Sequence, residues 1–562
     1  MSSQNSNDIK EFSLLAPDRN GKYFTISGNT SNDLSVDFIV ESLTRNSAEK
    51  SAISNILCNM PVDKAIIDYR SAIYSELSKE PALCEKLYDI FDTMRFYVQD
   101  SAHIEKGSTI WELLTRLKSL ESYSYSIVEL YETLKDHEFT SDGMKKFKGY
   151  ITKIHDTTGF EELLKDISII SDEISNVKSL TIGVNLDQNF YPEETGIISL
   201  NSYFFTEQSA LKRFIKFQNK DQISDKEFTP FTIERHTDGL DRISKKFGKG
   251  DSMNRPTDSP LMNNLNRIIE RMLPSMTDKI KKVINRYVDV SGKALSNLAD
   301  EFLFYMKFIE LEKKLAARGL PCCHGETSEN DSYIKDFYNV KLAICSIQDK
   351  VDEDIICNDI EFNDDKTVQI LTGPNRGGKT ILTQGIGLAF LLFHSGVFVP
   401  AASAKIRPCD GIYTHFPVEE ERTVSLGRLG EEAERFNAIC KTADRDSLLL
   451  FNESFATTSH TESLYIAEDV LLYLCCIGSR TFFNTHMHEL GENADKFGNY
   501  EKAVCKAVSV VMDGDDGRRS YKICYKKPDG KSYAREIALK YGITFEQLSE
   551  NLKSKPPVKR VV

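Results

Sequence analysis

Gly373-Pro374-Asn375-Arg376-Gly377-Gly378-Lys379-Thr380 stands between two apolar segments, Thr367-Val368-Gln369-Ile370-Leu371-Thr372 before it and Ile381 to Phe393 after it. The first reads as a buried strand and the second is long enough for a helix. The eight residues fit G-x-x-x-x-G-K-[ST], a pattern that needs this strand–loop–helix context. Glycines let backbone N–H groups close around an anion, and the helix N-terminus adds partial positive charge. Lys379 then reaches the β- and γ-phosphates of a nucleotide, and Thr380 offers a hydroxyl to Mg2+. A plain glycine-rich turn leaves the lysine–threonine pair unexplained.

Two more segments have the same shape of message. Ser447-Leu448-Leu449-Leu450-Phe451-Asn452-Glu453 reads as a buried parallel strand that ends in polar side chains, and ligands of such sheets bind at the carboxyl ends of the strands. Glu453 is placed to orient or deprotonate an attacking water. Asn452 occupies the position where an Asp usually holds Mg2+ through water; its carbonyl oxygen still accepts but brings no charge, so weaker metal affinity is expected. Thr481-Phe482-Phe483-Asn484-Thr485-His486-Met487-His488-Glu489-Leu490 is a second strand ending in polar groups. His486 is expected to sense the γ-phosphate, and that reading fits the order strand-then-histidine better than zinc on His486, His488 and Glu489. Ser425-Leu426-Gly427-Arg428-Leu429-Gly430-Glu431-Glu432 precedes a helix expected over Ala433 to Thr442 and forms a second candidate anion-binding N-terminus.

Residues 34–180 read as helices with ordinary core stripes, for example Leu83, Leu87, Ile90 and Met94. At Thr181 to Leu186 and Ile197 to Leu200 the period shortens to that of strands. A polar, loop-rich stretch reaches 258. Helical spacing returns with Ile280, Val283, Ile284 and Tyr287, and then with Leu295, Leu298, Phe302, Tyr305, Ile309 and Ala316 on one seam. Joined through Gly292, these segments make a rod of about 40 residues and about 60 Å. Gly319-Leu320-Pro321 ends it.

The chain has 562 residues, room for roughly three or four domains. No run of about 18 apolar residues occurs, so no membrane span is expected. The N-terminus lacks the basic and apolar regions of a signal peptide. The 12 cysteines include the vicinal pairs Cys322-Cys323 and Cys475-Cys476 but no C-x-x-C; reduced thiols in the cytoplasm are the expectation. Net charge is −13, which does not favour a nucleic-acid coat. Local basic patches remain at Lys145–Lys148, Lys212–Lys216, Lys245–Lys249 and Lys279–Lys282, each read first as a solvated face.

Residues from about 350 to 545 resemble the ATPase domain of the MutS mismatch-repair family. Thr372 to Thr380 is similar to T-G-P-N-M-G-G-K-S, with Arg376 and Thr380 as changes. Gly396 to Ala401 resembles G-x-x-V-P-A, and Ile406 to Thr414 resembles I-x-P-x-D-x-I-x-T. Thr457-Thr458-Ser459 stands where the family has G-T-S. Thr485 to Leu490 resembles T-H-x-x-E-L, and Lys531-Ser532-Tyr533 the closing S-Y-G segment. Asn59-Met60-Pro61 and the Arg70 segment are loosely similar to the lever and clamp region.

The resemblance implies an α/β ATP-binding-cassette-like P-loop NTPase domain preceded by a mostly α-helical lever and clamp region. It implies ATP and Mg2+ as ligands, a homodimer, and DNA as partner, branched or structured rather than mismatched. RNA or a protein stands as the alternative partner. Gly373 to Thr380 would bind nucleotide, with Asn375 on a phosphate. Thr380 and Asn452 would serve the metal, Glu453 and His486 the reaction. Ser425, Gly427, Arg428 and Gly430 would act across the dimer, although Gly427 and Arg428 replace the family's Ser-Thr. Ile355 and Ile356 lie where the family covers the adenine. The expected division is a flexible lead 1–33, helical core and lever 34–180, mixed segment 181–258, long helical lever 259–320, linker 321–350, ATPase domain 351–545 and a basic flexible tail 546–562. No room is expected for the mismatch-reading and connector domains, and no nuclease-type extension after Gly542.

Overall fold

The computed structural model describes residues 12–18, 21–98, 110–175, 178–189, 192–202, 274–287, 293–348, 354–373, 378–417, 428–455, 459–515, 518–528, 539, 542 and 544–552. The chain divides into two compact units. One comprises Met1–Ile9, Asp89–His137 and Lys148–Ala299; the other comprises Lys10–Tyr88, Glu138–Phe147 and Asp300–Val562.

In the first unit, helices Ile110–Leu134, Thr158–Ser175 and Pro274–Arg286 pack together. Leu113, Leu117, Ile127 and Leu130 are buried on the first, Leu163, Ile167 and Ile170 on the second, and Ile280 and Ile284 on the third. This three-to-four spacing is what buries one stripe of each helix. Arg286 reaches Glu162 at 2.6 Å and Asp166 at 3.0 Å, but such exposed pairs contribute about 0–1 kcal/mol each, so the apolar stripes hold the packing. Ser179–Leu186 and Pro192–Asn201 form an antiparallel hairpin, in line with the change of period at Thr181. The rod expected to run through Gly292 depends on residues 288–292, and the patches at 212–216 and 245–249 likewise lie outside the described residues. At Lys148, the ammonium is spent on the carbonyls of Lys135 and His137, at 2.7 and 2.9 Å, which makes it a local helix-end contact.

The second unit is built on a six-stranded sheet. Its strands are β1 (Val368–Thr372), β2 (Ile412–His415), β3 (Leu448–Asn452), β4 (Arg480–Asn484), β5 (Ala507–Asp515) and β6 (Arg518–Cys524), in the order β2-β3-β4-β1-β5-β6. All neighbours are parallel except β5 and β6. Every residue of β1, β3 and β4 is buried. Strands covered on both faces tend to read as apolar runs, which holds for β3, while Gln369 interrupts β1 and Arg480-Thr481 open β4 as buried polar residues. Register places Asn452 beside Asn484, and Asn484 beside Leu371, so the carboxyl ends of three adjacent strands share one level.

Helix α1 (Lys379–His394) follows β1 and is buried along nearly its whole length. Gly378 caps its start at φ +83°, a backbone conformation that favours glycine, and a Cβ there would meet the Tyr521 ring tightly, at 3.2 Å. Helix α2 (Arg428–Thr442) precedes β3, and helix α3 (His460–Ile477) connects β3 to β4. Ser459 caps α3 by accepting the Glu462 N–H and donating to its carboxylate, and Gly478 closes the helix at φ +76°; these are the expected start and stop devices. A smaller sheet runs in the order Glu326–Thr327, Ser403–Ile406, Ser332–Phe337, Asn358–Phe362.

The expected flexible lead is corrected from residue 12 onward. Leu14 is fully buried, its N–H donates to Glu301 at 2.6 Å, and its carbonyl accepts from Tyr305 at 2.7 Å. Tyr23–Thr25 pairs antiparallel with Asn59–Pro61, and the Pro61 carbonyl takes a 2.7 Å hydrogen bond from His394 Nδ1 at the end of α1. The segment is held because these backbone groups, once buried, must be partnered. The seam of Lys293–Ala317 is corrected too: Leu298, Phe302, Tyr305 and Ile309 are buried, but Ala316 is exposed and Leu315 takes the core position. The expected flexible tail begins as a helix, Phe545–Leu552.

Candidate functional site

The end of β1 turns through Gly373 into the loop, and α1 opens on Lys379. Lys379 is 4 % exposed, and its ammonium donates to the Gly373 carbonyl at 2.9 Å and lies 3.8 Å from the Glu453 carboxylate. Burial lowers its pKa below the usual lysine range, and Glu453 opposes that shift. Thr380 Oγ1 donates to Asn452 Oδ1 at 3.0 Å, and Asn484 Nδ2 donates to the same oxygen at 2.5 Å. Phosphate-loop lysine and threonine, strand-end Asn452 and Glu453 therefore meet in one cluster. The sheet causes this: parallel strands in register deliver their carboxyl ends to the N-terminus of α1.

His486 sits two residues beyond β4 and is exposed. Among the described residues no hydrogen bond or ion pair joins it to Lys379, Thr380, Asn452 or Glu453. His488 and Glu489 open the short helix His488–Glu492, and Glu489 pairs with His460 at 3.1 Å on the surface. No group of three His, Cys, Asp or Glu suited to a metal ion occurs among the described residues, so the zinc alternative at His486 finds no support there. Pro374, Asn375, Arg376, Gly377, Ser425 and Gly427 lie outside the described residues. Arg428 is the first residue of α2, and Gly430 lies within its first turn.

Oxygen donors suit a hard cation such as Mg2+. Thr380 Oγ1 and Asn452 Oδ1 are adjacent oxygens, and the buried Asn484 Oδ1 beside them has no hydrogen-bond partner among the described residues. The donor set fits Mg2+ in kind, with amide oxygen in place of one carboxylate.

Residues without a motif complete the surroundings. Glu453 and Phe455 both adopt left-handed backbone, at φ +49° and +63°. Such conformations are uncommon for residues with side chains and are held by their surroundings. The Glu453 N–H donates to the Asn484 carbonyl at 2.9 Å, and the Phe455 N–H donates to Glu432 Oε2 of α2 at 3.0 Å. His415 at the end of β2 lies 2.7 Å from Ser454 Oγ through Nδ1 and 3.0 Å from the Glu432 carbonyl through Nε2. Burial pushes its pKa down to about 4, so the ring is neutral; a carbonyl can only accept, so Nε2 carries the proton and Nδ1 accepts from Ser454. Arg435 of α2 donates to the carbonyls of Thr414 and Phe416, at 3.1 Å each, and pairs with Asp33. Asp33 is pushed above the usual carboxylate range by burial, against the pull of Thr414 and Arg435. Beside Gly378 a cavity is lined by Tyr338, Ile355, Ile356, Ile381 and Tyr521. His415 carries no motif signal; the polar ending of β4 pointed toward Asn484, and Glu432 closes the segment Ser425 to Glu432 without a role of its own in that reading.

A mostly parallel sheet whose strand ends gather a lysine, a threonine, an amide and a carboxylate at a glycine-capped helix is the architecture of an α/β ATPase domain. Comparison with known proteins gives the same result: residues 369–550 match MutS domain V and residues 62–318 match the MutS2 N-terminal domain. The chain belongs to the MutS family. It is 32 % identical over 191 residues to Endonuclease MutS2 of Staphylococcus carnosus, covering 34 % of this chain and 24 % of that protein. It is 32 % identical over 206 residues to Endonuclease MutS2 of a Geobacillus species, covering 36 % and 25 %. The corresponding protein of Staphylococcus aureus is 30 % identical over 199 residues, covering 35 % and 27 %. The chain thus matches about a quarter of the length of these curated relatives.

Proposed function

We propose that this chain is a P-loop ATPase that works as a dimeric, ATP-driven clamp on DNA, with branched or structured DNA preferred. The observation that carries the reading is the meeting of Lys379, Thr380, Asn452 and Glu453 at the carboxyl ends of β1 and β3. Lys379 turns from the Gly373 carbonyl to the β- and γ-phosphates, and the N–H groups of the loop and of α1 hold the rest of the anion. Mg2+, when bound, neutralises phosphate charge, and Thr380 and Asn452 are the residues that would hold it. Glu453 orients the attacking water and accepts its proton. The cavity beside Gly378 receives the base, between the Ile355–Ile356 segment and Tyr521. His486 answers to the γ-phosphate once nucleotide is present. Ser425, Gly427, Arg428 and Gly430 act on the partner subunit's nucleotide. Binding that differs between open and closed dimers shifts the population of the clamp. The site of action is cytoplasmic; among the described residues no helix is long and apolar enough to cross a membrane.

A second reading is favoured by Asn452: a nucleotide-dependent switch that acts on protein partners and hydrolyses slowly or not at all. Phosphate release from wild type and Glu453→Gln separates the two. A wild type that is measurably faster supports the ATPase, and equal slow release supports the switch. Gel shifts with duplex, branched and single-stranded DNA and with RNA, each with and without ATP, test the partner; no binding in any of them would overturn the clamp.

A further inference from the structure

We infer that Glu432 is a positioning residue for Glu453: its carboxylate fixes the turn that carries Glu453 by accepting the Phe455 N–H, which makes the placements of α2 and Glu453 interdependent. The inference rests on the nucleotide reading above and deepens it.

The turn Glu453-Ser454-Phe455 is an unusual piece of backbone. Two of its three residues are left-handed, and neither is glycine or asparagine. A turn of that kind keeps its shape only where neighbours over-determine it. On one side the anchor is β4, through the 2.9 Å hydrogen bond from Glu453 N–H to the Asn484 carbonyl. On the other side both anchors lead to one residue of α2. The Glu432 carboxylate takes the Phe455 N–H at 3.0 Å, while the Glu432 carbonyl takes the His415 Nε2–H at 3.0 Å and His415 Nδ1 takes Ser454 Oγ at 2.7 Å. Ser454 Oγ also lies 2.9 Å from the His415 carbonyl.

These contacts are dry. Glu432 is 8 % exposed, Ser454 2 %, His415 1 % and Phe455 1 %. The Phe455 ring stacks on His415, with centroids 5.3 Å apart, and meets Phe436 of α2 edge-on at 5.6 Å. A buried N–H that loses its acceptor has no water to replace it. A displaced α2 therefore takes the Phe455 N–H, and with it the Glu453 carboxylate, to a new position. Glu432 acts through backbone and is not itself placed on the nucleotide. Its effect belongs to the orientation of Glu453, hence to turnover, and not to the affinity set by Lys379 and the loop.

Three variants of the full chain test this: Glu432→Leu removes the acceptor at similar volume, Glu432→Gln keeps an acceptor oxygen, and Glu432→Asp keeps the charge but draws the acceptor back by one methylene. The readouts are steady-state hydrolysis, equilibrium binding of a fluorescent ATP analogue with Mg2+, and hydrogen exchange of residues 428–442 with and without that analogue. The expected result is a kcat loss of about tenfold or more in Glu432→Leu, with KM and analogue Kd within about threefold of wild type. Glu432→Gln stays within about threefold in kcat, and Glu432→Asp falls between the two. Nucleotide-dependent slowing of exchange in 428–442 is expected in wild type and Glu432→Gln and is lost in Glu432→Leu; this readout decides the matter even where hydrolysis is too slow to follow. If Glu432→Leu is insoluble, Glu432→Asp carries the test, and wild-type kcat and exchange in it overturn the inference. So does wild-type behaviour of Glu432→Leu, equal loss in Glu432→Gln, or a parallel loss of binding and turnover. Wild type that fails to bind the analogue, or binds it no better than Lys379→Ala, brings down the nucleotide reading itself, and that titration alone identifies the case.

Discussion

Replacing Glu453 by Gln should separate binding from turnover in opposite directions. The Glu453 carboxylate lies 3.8 Å from the Lys379 ammonium, the group proposed to serve the phosphates. Coulomb's law at that separation and an effective dielectric of about 20 gives about 4 kcal/mol of gross attraction. The Glu453 side chain is 36 % exposed, and pairs open to solvent retain about 1 kcal/mol or less of such attraction. Removing the carboxylate thus releases Lys379 at a gain of about 1 kcal/mol, a factor of about five in affinity. Removing a negative charge from the neighbourhood of the phosphates acts in the same direction. Loss of the group that takes the proton from water costs about 10²–10⁴ in rate. Titration with a fluorescent ATP analogue should show Glu453→Gln binding at least as tightly as wild type, by about fivefold, while single-turnover phosphate release falls by at least about a hundredfold. Weaker binding by Glu453→Gln would refute the Lys379–Glu453 competition, and unchanged release would refute the role given to Glu453.

Other consequences can be measured separately. Asn452→Asp meets two donors already in place, Thr380 Oγ1 and Asn484 Nδ2, and adds the missing charge. The Mg2+ concentration for half-maximal hydrolysis should fall by about tenfold or more, and an unchanged Mg2+ requirement contradicts the account of that position. Burial pushes the Glu301 pKa up to about 7, against hydrogen bonds from Ser13 and the Leu14 N–H. The folded state therefore keeps a proton that the unfolded chain releases near pH 4.5, so this contribution is complete below that pH and is lost as pH rises through about 7, by at most about 1.4 kcal/mol per pH unit. Denaturation midpoints across that window should fall more steeply in wild type than in Glu301→Gln; parallel curves contradict it. DNA affinity should drop by an order of magnitude or more between about 50 and 200 mM salt, and flat binding over that range counts against a phosphate-gripping clamp.

The sequence is most legible where burial on both faces forces a simple pattern. β3 stands out as an apolar run ending in Asn452, and β1 and β4 through the shorter pairs Ile370-Leu371 and Phe482-Phe483 ahead of Thr372 and Asn484, and the loop after β1 could be read because lysine followed by threonine has a chemical purpose there. The contacts between Lys379, Thr380, Asn452 and Glu453 followed from that pattern. His486, expected near the phosphates from its position after a strand, makes no hydrogen bond or ion pair to Lys379, Thr380, Asn452 or Glu453 among the described residues. What stayed illegible depends on pairings across long separations. The strand Tyr23–Thr25 is only three residues long and mostly exposed, and only its partner Asn59–Pro61 makes it a strand. Leu14 belongs to the short cluster Phe12-Ser13-Leu14-Leu15 in an otherwise polar lead, and nothing nearby in sequence announces Glu301 and Tyr305 as its partners. Glu432 sits on a helix rich in charge, where a carboxylate reads as solvated, and only the backbone of Phe455 makes it a buried acceptor. The exchange of Ala316 for Leu315 arises because residues 302–309 of that helix are buried all round, so a single-stripe reading does not apply.

The most direct test of the central claim is an equilibrium titration of the full chain with a fluorescent ATP analogue and Mg2+, beside Lys379→Ala. Saturable one-to-one binding by wild type is expected, with Kd raised by about a hundredfold or more in Lys379→Ala, which removes the ammonium proposed to bind the phosphates. Equal affinity for the two proteins, or no binding by wild type, contradicts the account.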